Sequence, residues 1–196
     1  NVNPIYKSSI QGKRILHVKW GNLSKTIYVA YADGSVEIRD AETLESQLLK
    51  QVHTREVRYF TFSKDFSLLV TTSKDGTAKV LDPDTLETLK TFSAGRPINA
   101  AAISPLYDST QIPKYHCFIG GGQEARDVAM LDKGGFEILI YNFLYEEEVA
   151  SISGHIGPVN ALAIHPDGKS FISGAEDGFA RLHILDPEYF TDKFDQ

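Results

Sequence analysis

Residues 154–186 read GHIGPVNALAIHPDGKSFISGAEDGFARLHILD, and this stretch holds three short apolar runs separated by turn residues. The runs VNALAI, SFISGA and FARLHIL have the length of β-strands, and Pro-Asp-Gly and Asp-Gly separate them. Asp-Gly favours a tight hairpin because glycine accepts the positive φ that primed turns require. The stretch therefore predicts three antiparallel strands, with Gly154 and His155 placed just before the first.

Two earlier segments repeat this layout. Their Asp-Gly turns begin at Asp33 and Asp75, 42 positions apart (75 minus 33), and each is followed by one strand-length run and then a second. His53 precedes Asp75 by 22 positions, as His155 precedes Asp177. Repeats of about 40 to 45 residues with four strands each are typical of WD-type β-propellers. We therefore predict an all-β WD40-type propeller with about four blades.

The third repeat is longer and less regular than the others. Residues 97–105 (PINAAAISP) align with residues 158–166 (PVNALAIHP), and the extra length falls in residues 106–115 and 122–135. We predict a single WD-repeat propeller segment over residues 1–196. Its blades are expected at approximately residues 14–52, 53–93, 94–153 and 154–186, followed by a C-terminal tail at 187–196.

The composition limits the classes of function. The 196 residues carry a net charge of −6, whereas a general nucleic-acid-binding surface requires an excess of basic residues. Cys117 is the sole cysteine, which excludes an internal disulfide and fits a reducing compartment. No apolar run approaches the roughly 20 residues of a membrane-spanning helix. These features predict a cytoplasmic protein with no membrane association.

A polar network is expected at the inner end of the regular blades. In WD blades, the histidine before the first strand bonds the aspartate of the turn between the second and third strands, and a hydroxyl extends the chain. His183 stands where a further ring extends such networks. The predicted structural networks comprise His53, Thr71 and Asp75 in the second blade, and His155, Ser173 and Asp177 in the fourth.

Three chemical interpretations compete with this structural one. Ser173, His155 and Asp177 are the residue types of nucleophilic catalysis, but an equivalent set recurs in the second blade, which a single active site does not explain. The six histidines form no HExxH motif. Residues 120–128 (GGGQEARDV) lack the Lys-Ser/Thr of a phosphate-binding loop. We predict no enzyme, cofactor or metal site, and we place Gly120 and Gly121 on a strand near the narrow central channel.

Several longer motifs are more specific than the repeat pattern. Together they show that the sequence resembles the family of subunit i of eukaryotic translation initiation factor 3, whose members are seven-bladed WD propellers. The motifs are TTSKDGTAKVLD (71–82), TLETLKTF (85–92), RPINAAAISPLYD (96–108), GGGQEARDV (120–128), YEEEV (145–149), residues 154–183 and DPEYFTDKFD (186–195).

The resemblance implies a non-catalytic scaffold. In this family the propeller binds a C-terminal helical segment of subunit b and holds subunit g, and it reaches the small ribosomal subunit indirectly. Four blades correspond to the C-terminal part of the family's seven, so we expect a piece of a longer ring whose closing N-terminal strand is missing. The alternatives are a WD-repeat adaptor of another signalling complex and a direct RNA contact, against which the net charge argues.

The acidic balance of the chain suits a partner helix rich in lysine and arginine. Asp65 belongs to a predicted turn between the first two strands of the second blade, and Asp82 ends the third strand of that blade. We expect Asp65 and Asp82 to pair with basic residues of the subunit b segment, with Tyr59 and Lys79 flanking them. The alternative is that both aspartates only cap turns.

Overall fold

The computed structural model describes residues 12–111, 113–123 and 135–191, and fifteen strands account for most of this part of the chain. A 3₁₀ turn at Asn22–Ser24 follows the first strand, and a short helix, α1 (Pro187–Thr191), follows the last. The strands are β1 (Ile15–Trp20), β2 (Thr26–Tyr31), β3 (Ser35–Asp40), β4 (Ser46–Gln51), β5 (Val57–Phe62), β6 (Leu69–Ser73), β7 (Thr77–Leu81), β8 (Thr88–Ser93), β9 (Ile98–Ile103), β10 (His116–Gly121), β11 (Ile138–Asn142), β12 (Glu147–Ile152), β13 (Val159–Ile164), β14 (Ser170–Ala175) and β15 (Ala180–Ile184).

The strands form four antiparallel sheets in which neighbours in sequence are neighbours in space. Blade 1 contains β1 to β4, blade 2 contains β5 to β8, blade 3 contains β9 to β12, and blade 4 contains β13 to β15. Consecutive sheets pack against each other, and the first strand of each sheet lies beside the first strand of the next. This meander of blades confirms the predicted all-β architecture. Residues 192–195 of the tail motif lie outside the described residues.

A β-bulge recurs near the start of the first strand in every blade. In blades 2, 3 and 4 the bulge places one extra residue on the first strand: Arg58, Asn99 and Asn160. The equivalent irregularity in blade 1 lies between Ile15 and His17. Because a bulge redirects the side chain of its extra residue, these three polar side chains leave the strand faces at the same end of the molecule.

Each pair of adjacent blades shares one apolar layer. Phe60 and Leu69 are fully buried in the layer between blades 1 and 2, while Phe92 and Cys117 lie in the layer between blades 2 and 3. Phe118 and Phe171 meet at a ring-centroid distance of 5.1 Å between blades 3 and 4. Burying one such side chain stabilises the fold by about 1.5–3 kcal/mol. Apolar side chains on the faces of the strands therefore hold adjacent blades together.

Gly120 allows this close packing between blades. It lies on β10, the second strand of blade 3, where an added Cβ would come within 2.7 Å of Val159 Cγ1 and 3.2 Å of Leu162 Cδ1. Both neighbours belong to β13 of blade 4. Gly120 is therefore a crowded strand position, as predicted, and the crowding comes from side chains of the adjacent blade.

The outer faces of the first and last blades carry exposed apolar side chains. On blade 1, Val18 and Trp20 are 53% and 57% exposed, and on blade 4, Leu182 and Ile184 are 69% and 80% exposed. Within the described residues, no helix is long and apolar enough to cross a membrane.

Candidate functional site

The polar network of blade 2 links the start of β5 to the turn between β6 and β7. His53 Nδ1 lies 3.1 Å from Asp75 Oδ2, and His53 Nε2 lies 2.9 Å from the hydroxyl of Thr71. Because a carboxylate only accepts, the proton of the neutral imidazole sits on Nδ1, and Nε2 accepts from Thr71. Asp75 also accepts from the Thr54 amide and from the amide and hydroxyl of Thr77. Thr77 is the member of this network that the sequence did not predict.

The network of blade 4 has the same design. His155 Nδ1 lies 2.8 Å from Asp177 Oδ2, and His155 Nε2 lies 2.8 Å from Ser173 Oγ. His183 Nε2 lies 3.0 Å from Ser173 Oγ, so a second ring lengthens the chain of hydrogen bonds. The ring of His183 also stacks on Phe171 with centroids 4.4 Å apart. One arrangement of protons satisfies all four polar side chains with both imidazoles neutral.

Burial decides what these networks can do chemically. The hydroxyl-bearing residues Thr71 and Ser173 are 0% and 1% exposed, and both face an apolar layer between blades. A nucleophile must be accessible to its substrate. These buried hydroxyl, imidazole and carboxylate groups instead connect strands to turns by hydrogen bonds. Among the described residues, no group of three His, Cys, Asp or Glu side chains is arranged to hold a metal ion.

In blade 1 a lysine is the partner of the turn aspartate, but from a different position in the repeat, since Lys13 precedes Asp33 by 20 residues (33 minus 13). Lys13 Nζ lies 2.8 Å from Asp33 Oδ2 and 2.9 Å from the hydroxyl of Ser35. Burial would raise the pKa of Asp33, but bonds from Lys13 and Ser35 lower that pKa to about 2. The sequence contained a signal for this substitution, because Asp33 opens the same Asp-Gly turn as Asp75.

Asp65 lies in the turn that joins β5 to β6. Its Oδ1 accepts from the Ser63 hydroxyl at 2.7 Å, from the Ser67 amide at 3.0 Å and from the Ser67 hydroxyl at 2.9 Å. Tyr107, which belongs to blade 3, reaches the same turn and lies 3.0 Å from the Ser67 hydroxyl. Partial burial would raise the pKa of Asp65, but the hydrogen bonds from Tyr107, Ser67 and Ser63 outweigh it and lower the pKa. Asp65 is therefore an ionised carboxylate at the junction of two blades.

Asp82 lies at the same end of blade 2, directly after β7. Its Oδ1 accepts from the amides of Asp84 and Thr85 and from the Thr85 hydroxyl, and the bonds from Thr85 lower its pKa most. Leu69 pairs with both Phe62 and Leu81, so the turn that holds Asp65 and the turn that begins at Asp82 adjoin the same end of β6. The structure thus brings the two predicted aspartates to one rim.

The two predicted flanking residues are placed differently from each other. Tyr59, on β5, packs against His17 with ring centroids 4.9 Å apart and lines a cavity of about 470 Å³ along the first strands of blades 2 to 4. Lys64, next to Asp65, lines the same cavity. Lys79 instead donates to the carbonyl of Val52 at 2.6 Å, at the opposite end of its blade. Tyr59 therefore adjoins the turn of Asp65, whereas Lys79 does not.

Several turns at one end of the blades are rich in acidic residues. We call the end formed by residues 40–45, 63–68, 82–87 and 165–169 the acidic rim, since these turns contain eight aspartates and glutamates and two lysines. We call the opposite end, which holds the turns of Asp33, Asp75 and Asp177, the network rim. A basic partner would be attracted to the acidic rim.

Comparison with protein-family models finds the WD domain, G-beta repeat, at residues 46–82 and 146–183. The first match ends at Asp82, and the second contains the complete blade 4 network. In structure, the chain resembles the crystal structure of the computationally designed Ika4 protein, with a TM-score of 0.70 over 95% of this chain and 100% of that chain. The sequence identity is 20%, so this likeness shows the fold alone.

Curated proteins match over almost the whole chain. Eukaryotic translation initiation factor 3 subunit I of Homo sapiens is 40% identical over 197 residues, which is 100% of this chain and 58% of that protein. The subunit of the same name from Mus musculus is 39% identical over 98% of this chain and 58% of its own length. The chain therefore spans a little more than half of the relatives it matches.

Proposed function

Because this chain is a homologue of eukaryotic translation initiation factor 3 subunit I over 58% of that protein's length, we propose that it is a non-catalytic scaffold subunit of an initiation factor 3 complex in the cytoplasm. In this proposal, the chain binds the C-terminal helical segment of subunit b and holds subunit g while the pre-initiation complex assembles on the small ribosomal subunit. WD blades support such a role because they present stiff rims with exposed turns.

The observation that carries the proposal is the placement of Asp65 and Asp82 on the acidic rim. Their backbone turns are fixed by hydrogen bonds, so neither carboxylate has to be ordered when a partner arrives. The bonds to Asp82 all reach Oδ1, which leaves Oδ2 for a basic side chain. A helix that carries lysine and arginine would thus meet two preorganised negative charges at the end of blade 2.

The test is to reverse both charges and measure binding of the subunit b C-terminal segment by calorimetry. We expect Asp65→Lys with Asp82→Lys to weaken binding at least about tenfold, because each position would change from attraction to repulsion. The pair Asp65→Asn and Asp82→Asn separates charge from turn capping, since asparagine also accepts from backbone amides. This neutral pair should weaken binding by an intermediate factor and leave the fold intact.

The chain offers a matched control on other blades. Asp40 accepts from the amides of Glu42 and Thr43 as Asp82 does, and Asp167 accepts from the Lys169 amide as Asp65 does from that of Ser67. Asp40→Lys with Asp167→Lys therefore makes the same change in total charge on blades 1 and 4. Equal losses from both double variants, or unchanged affinity in the first, would remove blade 2 as the site.

Membership of the complex is tested separately by purifying the tagged protein from cells and identifying its bound subunits. The expected result is co-purification of subunits b and g, with loss of b in the charge-reversed variant. Recovery of a different multiprotein complex with neither subunit would contradict the proposed function and favour a WD-repeat adaptor elsewhere.

A further inference from the structure

Two cavities open side by side on the network rim, between blades 2, 3 and 4. The first, of about 340 Å³, is lined by residues that include Arg55, Lys74, Asp75 and Arg96. The second, of about 310 Å³, is lined by residues that include the bulged residues of blades 2 to 4. Pro97 lines both cavities, so they adjoin each other, and we call the two together the rim groove.

The first cavity is cationic despite the carboxylate of Asp75. Both oxygens of Asp75 are used internally, because Oδ2 accepts from His53 and the Thr54 amide while Oδ1 accepts from Thr77. Within the described part of the chain, no carboxylate forms an ion pair with the exposed Arg55. A bound anion would therefore meet cationic side chains without displacing the blade 2 network.

Arg96 is fixed in place on the opposite side of the first cavity. Its Nη2 donates to the carbonyl of Glu137 at 3.0 Å and lies 3.3 Å from the Glu137 carboxylate. Its backbone packs against Gly76, where an added Cβ would lie 3.3 Å from Arg96 N. A guanidinium held in this way loses little side-chain freedom when it binds an anion.

The second cavity offers hydrogen-bonding groups of the kind that bind a peptide backbone. The recurring bulges direct Arg58, Asn99 and Asn160 into it from three consecutive first strands. Asn99 donates to the side-chain carbonyl of Asn160 at 2.8 Å, and Asn160 donates to Glu176 at 3.2 Å. Each amide retains a second N–H and further acceptor capacity for a main chain passing above it.

We propose that the rim groove binds an acidic peptide segment, with a phosphate or carboxylate side chain in the first cavity and the adjoining backbone along the two asparagines. This site is independent of the proposed function, because it lies on the rim opposite Asp65 and Asp82 and selects the opposite charge. A single RNA strand fits less well. Among the described residues that line the two cavities, none has an aromatic side chain on which a base could stack.

The test uses short fluorescent peptides and the purified protein, with binding followed by anisotropy. One peptide carries a central phosphoserine between glutamates, a second has glutamate in place of phosphoserine, and a third has serine and glutamines throughout. We expect one or both acidic peptides to bind at least about tenfold more tightly than the neutral peptide, with affinity that falls as salt is added. The relative affinities of the two acidic peptides distinguish a phosphate site from a carboxylate site.

Charge-reversal variants locate the site. Arg55→Glu with Lys74→Glu should weaken binding of the preferred acidic peptide at least about tenfold. Lys25→Glu with Lys169→Glu makes the same change in net charge on exposed residues at the other end of the blades, and should change affinity by no more than about twofold. Circular dichroism of both variants checks that the β-sheet content is retained.

Three results would overturn the proposal. The first is equal affinity for the neutral and acidic peptides, and the second is an equal loss in the two charge-reversed variants. The third is tighter binding of a fluorescent oligouridine than of either acidic peptide, with the same dependence on Arg55 and Lys74. That last outcome would assign the rim groove to RNA.

Discussion

Blades 2 and 4 contain the same hydrogen-bonded set in different surroundings. His53 and His155 each join an aspartate to a hydroxyl, with nitrogen–oxygen distances between 2.8 and 3.1 Å. Blade 2, however, packs against a blade on both faces. In the part of the chain that the structure describes, blade 4 has three strands and an outer face on which Leu182 and Ile184 are largely exposed.

The spacing of residues along the chain is therefore enough to form the hydrogen-bond network, whereas the packing around it determines how much the network contributes to stability. The 22-residue separation recurs with the same geometry whether or not a further blade covers the sheet. The free energy contributed by each network depends on how many buried donors it satisfies and on whether water can replace the missing partner. Matched substitutions in the two blades measure that difference.

The largest effect is expected from removing the network aspartates. Asp75→Ala would release five hydrogen bonds, donated by His53, Thr54 and Thr77, and we expect the free energy of unfolding to fall by about 3 kcal/mol. Asp177→Ala would release three bonds, two of them from amides of the strongly exposed residues Ile156 and Phe179. Its effect should be smaller, because three donors rather than five lose their acceptor.

Urea unfolding followed by circular dichroism provides the measurement. Asp75→Asn and Asp177→Asn serve as controls that keep an acceptor in each turn, and both should recover part of the loss. An equal or larger loss for Asp177→Ala would show that the exposed blade depends on its network as strongly as the enclosed one does.

The second-largest effect is a loss of stability at acidic pH. Burial lowers the pKa of His53 to about 4, with Asp75 opposing this shift and the charge of Lys79 adding to it. Because the unfolded chain has a histidine pKa near 6.5, it binds a proton in a range where the native state does not. Stability is therefore complete above about pH 6.5 and is lost as pH falls toward 4. The contribution of His53 amounts to about 2 kcal/mol between about pH 7 and about pH 4.5.

His53→Gln should flatten the pH dependence of the unfolding free energy over this range, whatever it does to stability at neutral pH. The change for comparison in blade 4 is His183→Gln, in the additional imidazole of that network. The pKa of His183 is also lowered, by burial and by the charges of His155 and Arg181, so this variant should flatten the same curve to a lesser degree. Parallel curves for wild type and His53→Gln would show that His53 titrates equally in the folded and unfolded states.

Much of this architecture could be predicted from the sequence because the repeat is encoded locally. Asp-Gly turns, alternating apolar residues and the histidine-to-aspartate spacing each depend on neighbouring positions, and together they predict four blades and the members of both networks. The lysine of blade 1 was not predicted, because Lys13 differs from the histidines both in residue type and in its distance along the chain from the turn aspartate.

The rim groove and the acidic rim depend on contacts that no local pattern shows. Arg55, Lys74 and Arg96 are separated in sequence and converge only because a turn of blade 2 meets the start of blade 3. Similarly, Lys79 lies near Asp82 in sequence, but its position on the strand directs its side chain to the carbonyl of Val52. Loop composition indicates the charge of a rim, whereas side-chain direction requires the register and the bulges.

The smallest of the three effects tests the packing difference with a single methyl group. Gly120 and Gly174 occupy equivalent positions, opposite Ala100 and Ala161 in their sheets. An added Cβ at Gly120 would press against Val159 at 2.7 Å, whereas at Gly174 it would meet only Ala161 at 3.8 Å. We expect Gly120→Ala to lower the free energy of unfolding by about 1–2 kcal/mol through overpacking, and Gly174→Ala to leave it nearly unchanged.

Val159→Ala provides the control for this pair, since it removes both methyl groups of Val159, including the Cγ1 that the new Cβ of Gly120→Ala would meet. The double variant Gly120→Ala with Val159→Ala should be more stable than the sum of the two single changes allows, because the added and removed methyl groups compensate for each other. If the losses in unfolding free energy of the two single variants simply add, the destabilisation by Gly120→Ala arises in the strand backbone and not in the contact with Val159. A large loss in Gly174→Ala would instead show that another part of the protein packs on the outer face of blade 4 as blade 4 packs on blade 3.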